Sequence, residues 1–235
     1  MIRAVLFDAA GTLIELCEPV GETYARLASD FGVALPAWRL DDAFRRIFAA
    51  AHPMVFPDAA PEEVGALERE WWRGVVRSTF LAADSTRRFG DFDAFFEGLY
   101  AVYSEPDTWR SRAGAIELLR ELRSRGLATA VVSNFDRRLP RILAGLGLAP
   151  WLDAIVLPAD ARAAKPDRRI FALALERLGV PASEALYVGD DADKDVDGAR
   201  AAGLGAVDVH SLATLSQLPA HVDGALGVQE QEREH

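Results

Sequence analysis

Cysteine is nearly absent from this chain of 235 residues: Cys17 stands alone, so no disulfide can form within it and a reducing, cytoplasmic setting is expected. Lysine is almost as scarce, with only Lys165 and Lys194. Positive charge as a whole is in deficit, 26 Lys and Arg against 36 Asp and Glu, for a formal charge of -10. Nucleic-acid backbones are bound by a surplus of Lys and Arg on one surface, so that class of partner is not expected. No apolar run reaches membrane-spanning length, and the chain opens on a strand-like segment without a basic leader or a small-residue cleavage site. Neither secretion nor a membrane partner is expected. The four histidines, His52, His210, His221 and His235, lack metal-ligand spacing and read as solvent-facing groups. Internal repeats and low-complexity linkers are missing too.

What the chain does have is apolar material. Half of it is hydrophobic, enough for one sizeable core or a core with a smaller companion. Ile2 to Phe7, interrupted only by Arg3, reads as a buried first strand ended by the turn residues Gly11-Thr12. From Glu15 to Trp109 the texture is helical, with apolar residues at helical spacing over Pro19 to Phe31, Asp41 to Ala51, Glu62 to Ala82 and Asp91 to Tyr103, and no convincing strand. From Gly114 the pattern alternates. Helices are expected over Ala115 to Ser124, Arg137 to Leu146, Arg168 to Leu178 and Asp195 to Ala202. Strands are expected over Leu127 to Val132, Ile155 to Leu157, Ala185 to Val188 and Ala206 to Val209. Such alternation implies βαβ units around a parallel, Rossmann-like sheet, which the first strand must join. The expected α/β organisation is therefore a core of residues 1–14 and 110–235 with an inserted helical cap of residues 15–109. Its Glu- and Gln-rich tail, residues 227–235, is expected to be frayed.

Polar clusters fall where strands should end. Asp8 follows the first strand, Ser133-Asn134 the second, and Gly189-Asp190-Asp191 another, with Asp195 beyond; Lys165-Pro166-Asp167 opens a helix. In open parallel sheets the carboxyl ends of the strands are where ligands sit. Each cluster also has a plain structural reading. Asp8 suits a turn, Ser133, Asn134 and Asp136 suit helix caps, Lys165 suits a solvated position ahead of a helix beginning at Pro166, and the acidic run suits a helix dipole. Together their chemistry is complementary. A carboxylate nucleophile attacking phosphorus needs a hard cation to offset repulsion, and Asp8, Asp190 and a backbone carbonyl offer oxygen ligands suited to Mg²⁺. Ser133 can donate to phosphoryl oxygens and Lys165 can supply a fixed positive charge.

The order Phe7-Asp8-Ala9-Ala10-Gly11-Thr12-Leu13, Val132-Ser133-Asn134, Lys165-Pro166-Asp167 and Val188-Gly189-Asp190-Asp191 to Asp195, with Gly198-Ala199 and Ala202-Gly203 after it, resembles the four motifs of the haloacid dehalogenase-like hydrolase superfamily. Pro19-Val20-Gly21-Glu22-Thr23-Tyr24-Ala25, Trp71-Trp72, Ser133 to Leu139, and Lys165-Pro166-Asp167 leading to Arg169-Ile170-Phe171 are similar to its haloacid dehalogenase-like hydrolase domain-containing protein 3 branch. The resemblance implies a Rossmann-like core with a helical cap, and a small phosphorylated substrate. It implies Asp8 as nucleophile, Lys165 as catalytic cation, and Thr12, Ser133, Asn134 and Lys165 as phosphate-binding residues. It also implies Mg²⁺ held by Asp8, the Ala10 carbonyl and Asp190, with Asp195 supporting.

The pattern breaks at Ala10. Phosphatases of this superfamily usually carry there the Asp that protonates the leaving group and activates water; a positioned acid or base is worth about 10² to 10⁴ in rate. Phosphonoacetaldehyde hydrolases also carry Ala, but use a cap lysine for a Schiff base, and neither lysine here falls in the expected cap. Haloacid dehalogenases need neither that Asp nor a metal carboxylate, whereas Val188-Gly189-Asp190 resembles the phosphatase version. A binding or regulatory protein that kept phosphate and Mg²⁺ recognition stays open. Within the cap region, His52 is a candidate for the missing acid and Arg39, Arg45 and Arg46 for substrate charge, while Trp71 and Trp72 suit the cap's own core. Arg137 and Arg138 suit a solvated helix face.

Overall fold

A computed structural model describes residues 1–223. The expected frayed tail and His235 lie outside the described residues. In chain order the elements are β1 (Ala4–Phe7), β2 (Ile14–Leu16), α1 (Val20–Ser29), α2 (Ala37–Ala50), α3 (Val64–Ala83), α4 (Phe92–Val102), β3 (Trp109–Ser111), α5 (Ala115–Ser124) and β4 (Ala128–Val132). They continue with α6 (Leu139–Gly145), β5 (Ala154–Val156), α7 (Pro158–Ala161), α8 (Arg168–Leu178), β6 (Ala185–Gly189), α9 (Gly198–Ala201) and β7 (Gly205–Asp208). Contacts divide the chain into two compact units, one of Met1–Glu15 with the chain from Ser111 onward, the other Leu16–Arg110.

The first unit is a five-stranded parallel sheet in the order β5-β4-β1-β6-β7. β1 lies at its centre because all four of its residues are apolar and buried, which suits a strand covered on both faces. Alternation then sorts the side chains. Ala4 and Leu6 share one face with Ala130, Val132, Ala185 and Tyr187, and that face is covered by Ile170, Phe171 and Ala174 of α8 and Ala199 of α9. Register aligns Phe7 with Val131 on one side and Val188 on the other. The residues that follow β1, β4 and β6, namely Asp8, Ser133 and Asp190, therefore leave the sheet along one edge.

The second unit is helical. Apolar residues of its four helices meet around Tyr24, Leu40, Val76, Phe80, Phe95 and Leu99. The Tyr24 and Phe80 rings stack at 5.8 Å, and Phe80 meets Phe95 edge-on at 5.3 Å. Trp72 packs against this core and also meets Trp71 at 4.9 Å. No helix of the described residues is long and apolar enough to cross a membrane.

Several expected boundaries differ. α2 begins at Ala37 rather than Asp41, since Pro36 presets the turn before it. α8, by contrast, has the expected bounds Arg168 to Leu178, and it is capped by Asp167, whose carboxylate accepts from the Arg169 amide at 2.9 Å. The strand expected at Ile155 to Leu157 ends one residue earlier, where Leu157 turns into α7. β2 and β3 pair with each other where the chain passes from one unit to the next, so a short ribbon flanks a segment expected to hold no strand. Three-residue strands carry too few residues for a readable period.

Gly21 illustrates how tightly the helical unit is built. Its amide donates to the Asp41 carboxylate at 2.7 Å, and a Cβ placed on it would lie 2.1 Å from the Ala37 carbonyl oxygen. Because that obstacle is backbone, relief requires α1 and α2 to separate. Gly21→Ala is expected to cost about 1–3 kcal/mol of stability, read as a lower urea midpoint. A variant as stable as the parent would mean that the helices separate freely.

Candidate active site

Asp8, Thr12, Ser133, Lys165, Asp190 and Asp195 converge at the carboxyl edge of β1, β4 and β6. The chain after β1 turns sharply because the Ala9 carbonyl accepts the amides of Thr12, Leu13 and Ile14, at 3.2, 2.8 and 3.0 Å. Gly11 is obligatory in that turn. Its φ is +87°, and a Cβ there would lie 2.4 Å from an Asp190 carboxylate oxygen. Thr12 is fully buried, with its hydroxyl 3.5 Å from Asp190 Oδ1.

Lys165 is the centre of the arrangement. Its buried ammonium donates to Asp8 Oδ1 at 2.8 Å, to Asp195 Oδ1 at 2.5 Å and to the Tyr187 hydroxyl at 2.8 Å. Burial pulls the Lys165 pKa down, but the charges of Asp8 and Asp195 outweigh it and leave the ammonium above its usual value. The backbone of Lys165 is fixed as well. Asn134 Oδ1 accepts the Lys165 amide at 2.7 Å, and Asn134 Nδ2 donates to the Lys165 carbonyl at 3.0 Å. Asn134, expected to bind phosphate, thus spends its amide on a clamp for Lys165.

Asp195 is likewise an organiser. Its Oδ1 is held by Lys165, and its Oδ2 accepts the amides of Asp190 and Asp191, both at 3.1 Å. Asp195 thereby braces the Asp190 loop. A Gly189 Cβ would sit 2.4 Å from this carboxylate, which explains the glycine. Here the expected helix Asp195 to Ala202 is instead a wide π-turn, Ala192–Asp197, followed by α9. The turn begins on Asp191, whose carboxylate accepts from the Asp193 and Lys194 amides at 3.1 and 2.8 Å.

Carboxylate oxygens of Asp8, Asp190 and Asp195 lie within 4.8 Å of one another, and this cluster could hold a metal ion. Its electrostatics agree, because three carboxylates face one lysine. Burial first, then the charges of Asp8 and Asp195, push Asp190 up to about 6, with Lys165 opposing. Asp195 is also raised, by burial first, against Lys165 and with Asp8 adding to it. A hard divalent cation suits such oxygen donors.

Ser133 is buried one residue past β4, its amide donating to Val156 at 3.2 Å. Asp136, two residues past Asn134, is fully buried and paired with Arg138 at 2.5 Å, so Arg138 is no solvated face residue. His52, His210 and His221 are exposed. His52 belongs to the helical unit, where its carbonyl accepts from the Trp71 indole at 2.9 Å. Arg46 there pairs with Asp42 at 3.0 Å.

Residues 2–203 match the family model of haloacid dehalogenase-like hydrolases. The chain belongs to that family. The human haloacid dehalogenase-like hydrolase domain-containing protein 3 is 39% identical over 208 residues, spanning 86% of this chain and 80% of the human one. Among solved structures, a phosphatase of the family from Thermococcus onnurineus superposes with a TM-score of 0.65 at 24% identity, covering 94% of this chain and 98% of its own. The L-2-haloacid dehalogenase from Xanthobacter autotrophicus, carrying covalently bound chloropropionic acid, superposes at 0.67 with 22% identity, covering 91% and 79%. At these identities the two share the Rossmann-like α/β fold with this hydrolase, and the fold serves both chemistries.

Two site residues escaped the sequence. Arg112 donates from its side chain to the Gly11 carbonyl at 2.8 Å and from its amide to the Leu13 carbonyl at 2.9 Å, fixing the turn after Asp8 from the far end of the insertion. Tyr187 sits inside a strand whose apolar pattern hides its hydroxyl. Neither position has a local signal.

The raised Asp190 pKa has a thermodynamic sign. Between its ordinary 3.8 and about 6 the folded state binds more protons than the unfolded one. Asp190 therefore supports the metal-free fold at low pH, and that support is lost as pH rises through about 6. A divalent cation competes with the same proton, so the Tm gain on adding Mg²⁺ is expected to be small at pH 5 and larger at pH 7. Asp190→Asn should abolish that difference in paired thermal melts; an Mg²⁺ response unchanged by the substitution would locate the metal elsewhere.

Proposed function

We propose that this hydrolase is a Mg²⁺-dependent phosphatase that acts on a small phosphorylated metabolite through an aspartyl-phosphate on Asp8, in a cytoplasmic setting. The observation that carries the reading is Asp190 beside Asp8. Displacing a halide needs one carboxylate and no metal, and a second, half-buried carboxylate beside the nucleophile would only oppose it. Transfer of an anionic phosphoryl group gives the second carboxylate a purpose. A divalent cation on Asp8, Asp190 and the Ala10 carbonyl supplies charge neutralisation to the incoming group.

The chain's own residues supply the rest. Lys165 holds one Asp8 oxygen and orients the nucleophile. Asp8 attacks phosphorus, the bond to the leaving oxygen breaks, and the leaving group departs with its electron pair. Ser133 and Thr12 present hydroxyls to the phosphoryl oxygens. Water then attacks the phosphorus and frees Asp8. In this reading the helical unit is a cap that selects substrate.

Ala10 shapes both half-reactions, since its methyl can neither protonate a leaving group nor activate water. Substrates whose leaving group needs no proton, aryl and acyl phosphates, are therefore preferred over sugar phosphates. Wild type is expected to hydrolyse an aryl phosphate with Mg²⁺, Asp8→Asn to be inactive, and Ala10→Asp to gain activity on sugar phosphates by about 10² or more. Faster turnover of a sugar phosphate by wild type would refute the leaving-group argument.

Ala10 also favours a second reading, a regulatory protein that binds phosphate and metal without turnover. The two separate cleanly at Asp8. An impaired phosphatase accepts phosphate from a reactive acyl phosphate and loses it slowly, giving a pre-steady-state burst, whereas a binder is not labelled.

A further inference from the structure

We infer that Tyr187 is a positioning residue that aims the Lys165 ammonium at Asp8. An ammonium has three protons, and here all three are engaged. Two go to groups sealed in the core. Tyr187 is 0% exposed and Asp195 1%, while Asp8, the third acceptor, is 8% exposed. Fixing two N–H directions of a tetrahedral nitrogen fixes the third, so the buried pair determines where the last proton points. It points at the one partner that solvent reaches.

The tyrosine hydroxyl suits this task better than a third carboxylate. It accepts from Lys165 and passes its own proton to the Val132 carbonyl at 2.7 Å, so it is satisfied in both roles without adding negative charge. Burial, followed by the nearby charges of Asp8 and Asp195, holds its pKa well above the ordinary phenol value, so it stays neutral. Val132 is the last residue of β4 and precedes Ser133. One hydroxyl thereby ties together the Lys165 loop, the middle of β6 and the strand end that presents Ser133. The ring has its own support, an edge-on contact with Phe171 at 5.2 Å, which Phe in place of Tyr would retain.

Tyr187→Phe deletes the hydroxyl alone. It frees one ammonium proton and one carbonyl in a sealed site, and releases the rotation that keeps Lys165 directed at Asp8. The catalytic consequence rests on the phosphatase reading; the positioning itself does not, and lysine scarcity makes it directly observable. With Lys165 and Lys194 the only lysines, protein labelled with ¹⁵N at the lysine side chains carries two ammonium groups, one buried and one on an exposed Lys194. A slowly exchanging Lys165 ammonium signal is expected in wild type, with a cross-relaxation peak to the Tyr187 hydroxyl or ring. Absence of both overturns the proposal even if the variant fails to fold. In folded Tyr187→Phe, ammonium exchange is expected to quicken at least tenfold while Lys194 is unchanged. Unchanged exchange makes Tyr187 core packing only. On an aryl phosphate with Mg²⁺, kcat is expected to fall about ten- to a hundredfold with KM nearly constant. A kcat equal to wild type overturns the catalytic role. If wild type hydrolyses nothing, the phosphatase reading fails while the exchange comparison still decides whether Tyr187 positions Lys165.

Discussion

A single buried positive charge organises the carboxyl edge of this sheet. The Lys165 ammonium holds together a nucleophile candidate from the end of β1, a carboxylate from the turn after β6 and a hydroxyl from within β6. An ion in a sealed interior is costly unless every proton finds an acceptor, and here each does. Removing one member of such a group typically costs about 3–5 kcal/mol, because the partners keep their charge and lose its compensation. Lys165 lies between Asp8 and Asp195 and offsets their mutual repulsion.

The same constraint explains the small residues nearby. Gly11 and Gly189 are not general flexibility; each leaves room for one carboxylate, Asp190 and Asp195 respectively. Asn134 holds the lysine by its backbone, and Asp136 anchors Arg138 in the same loop. A ring of short side chains and paired charges thus surrounds a negative excess that a hard cation would balance. Ala10 stands in that ring without a side chain that could move a proton.

Much of this was legible before folding. The apolar stretch before Asp8 and the alternation after Gly114 identified a parallel sheet, because period and polarity are local properties. The order of the polar clusters identified the family, and the family model and human relative agree. Short pieces were not legible. β2 and β3 carry no period, and the π-turn Ala192–Asp197 is set by where Asp195 sends its carboxylate rather than by any helical preference.

The sequence by itself determined which chemical groups this hydrolase owns: one carboxylate after each of two strands, one useful lysine, and alanine where an acid would serve. Tertiary structure decided their division of labour. Asp195 braces the loop that carries Asp190, Asn134 clamps the backbone of Lys165, and Arg112 and Tyr187 join from positions with no local signal. Roles of this kind depend on which lone pairs and protons are already taken. That is fixed only when residues distant along the chain are brought within about 3 Å of one another.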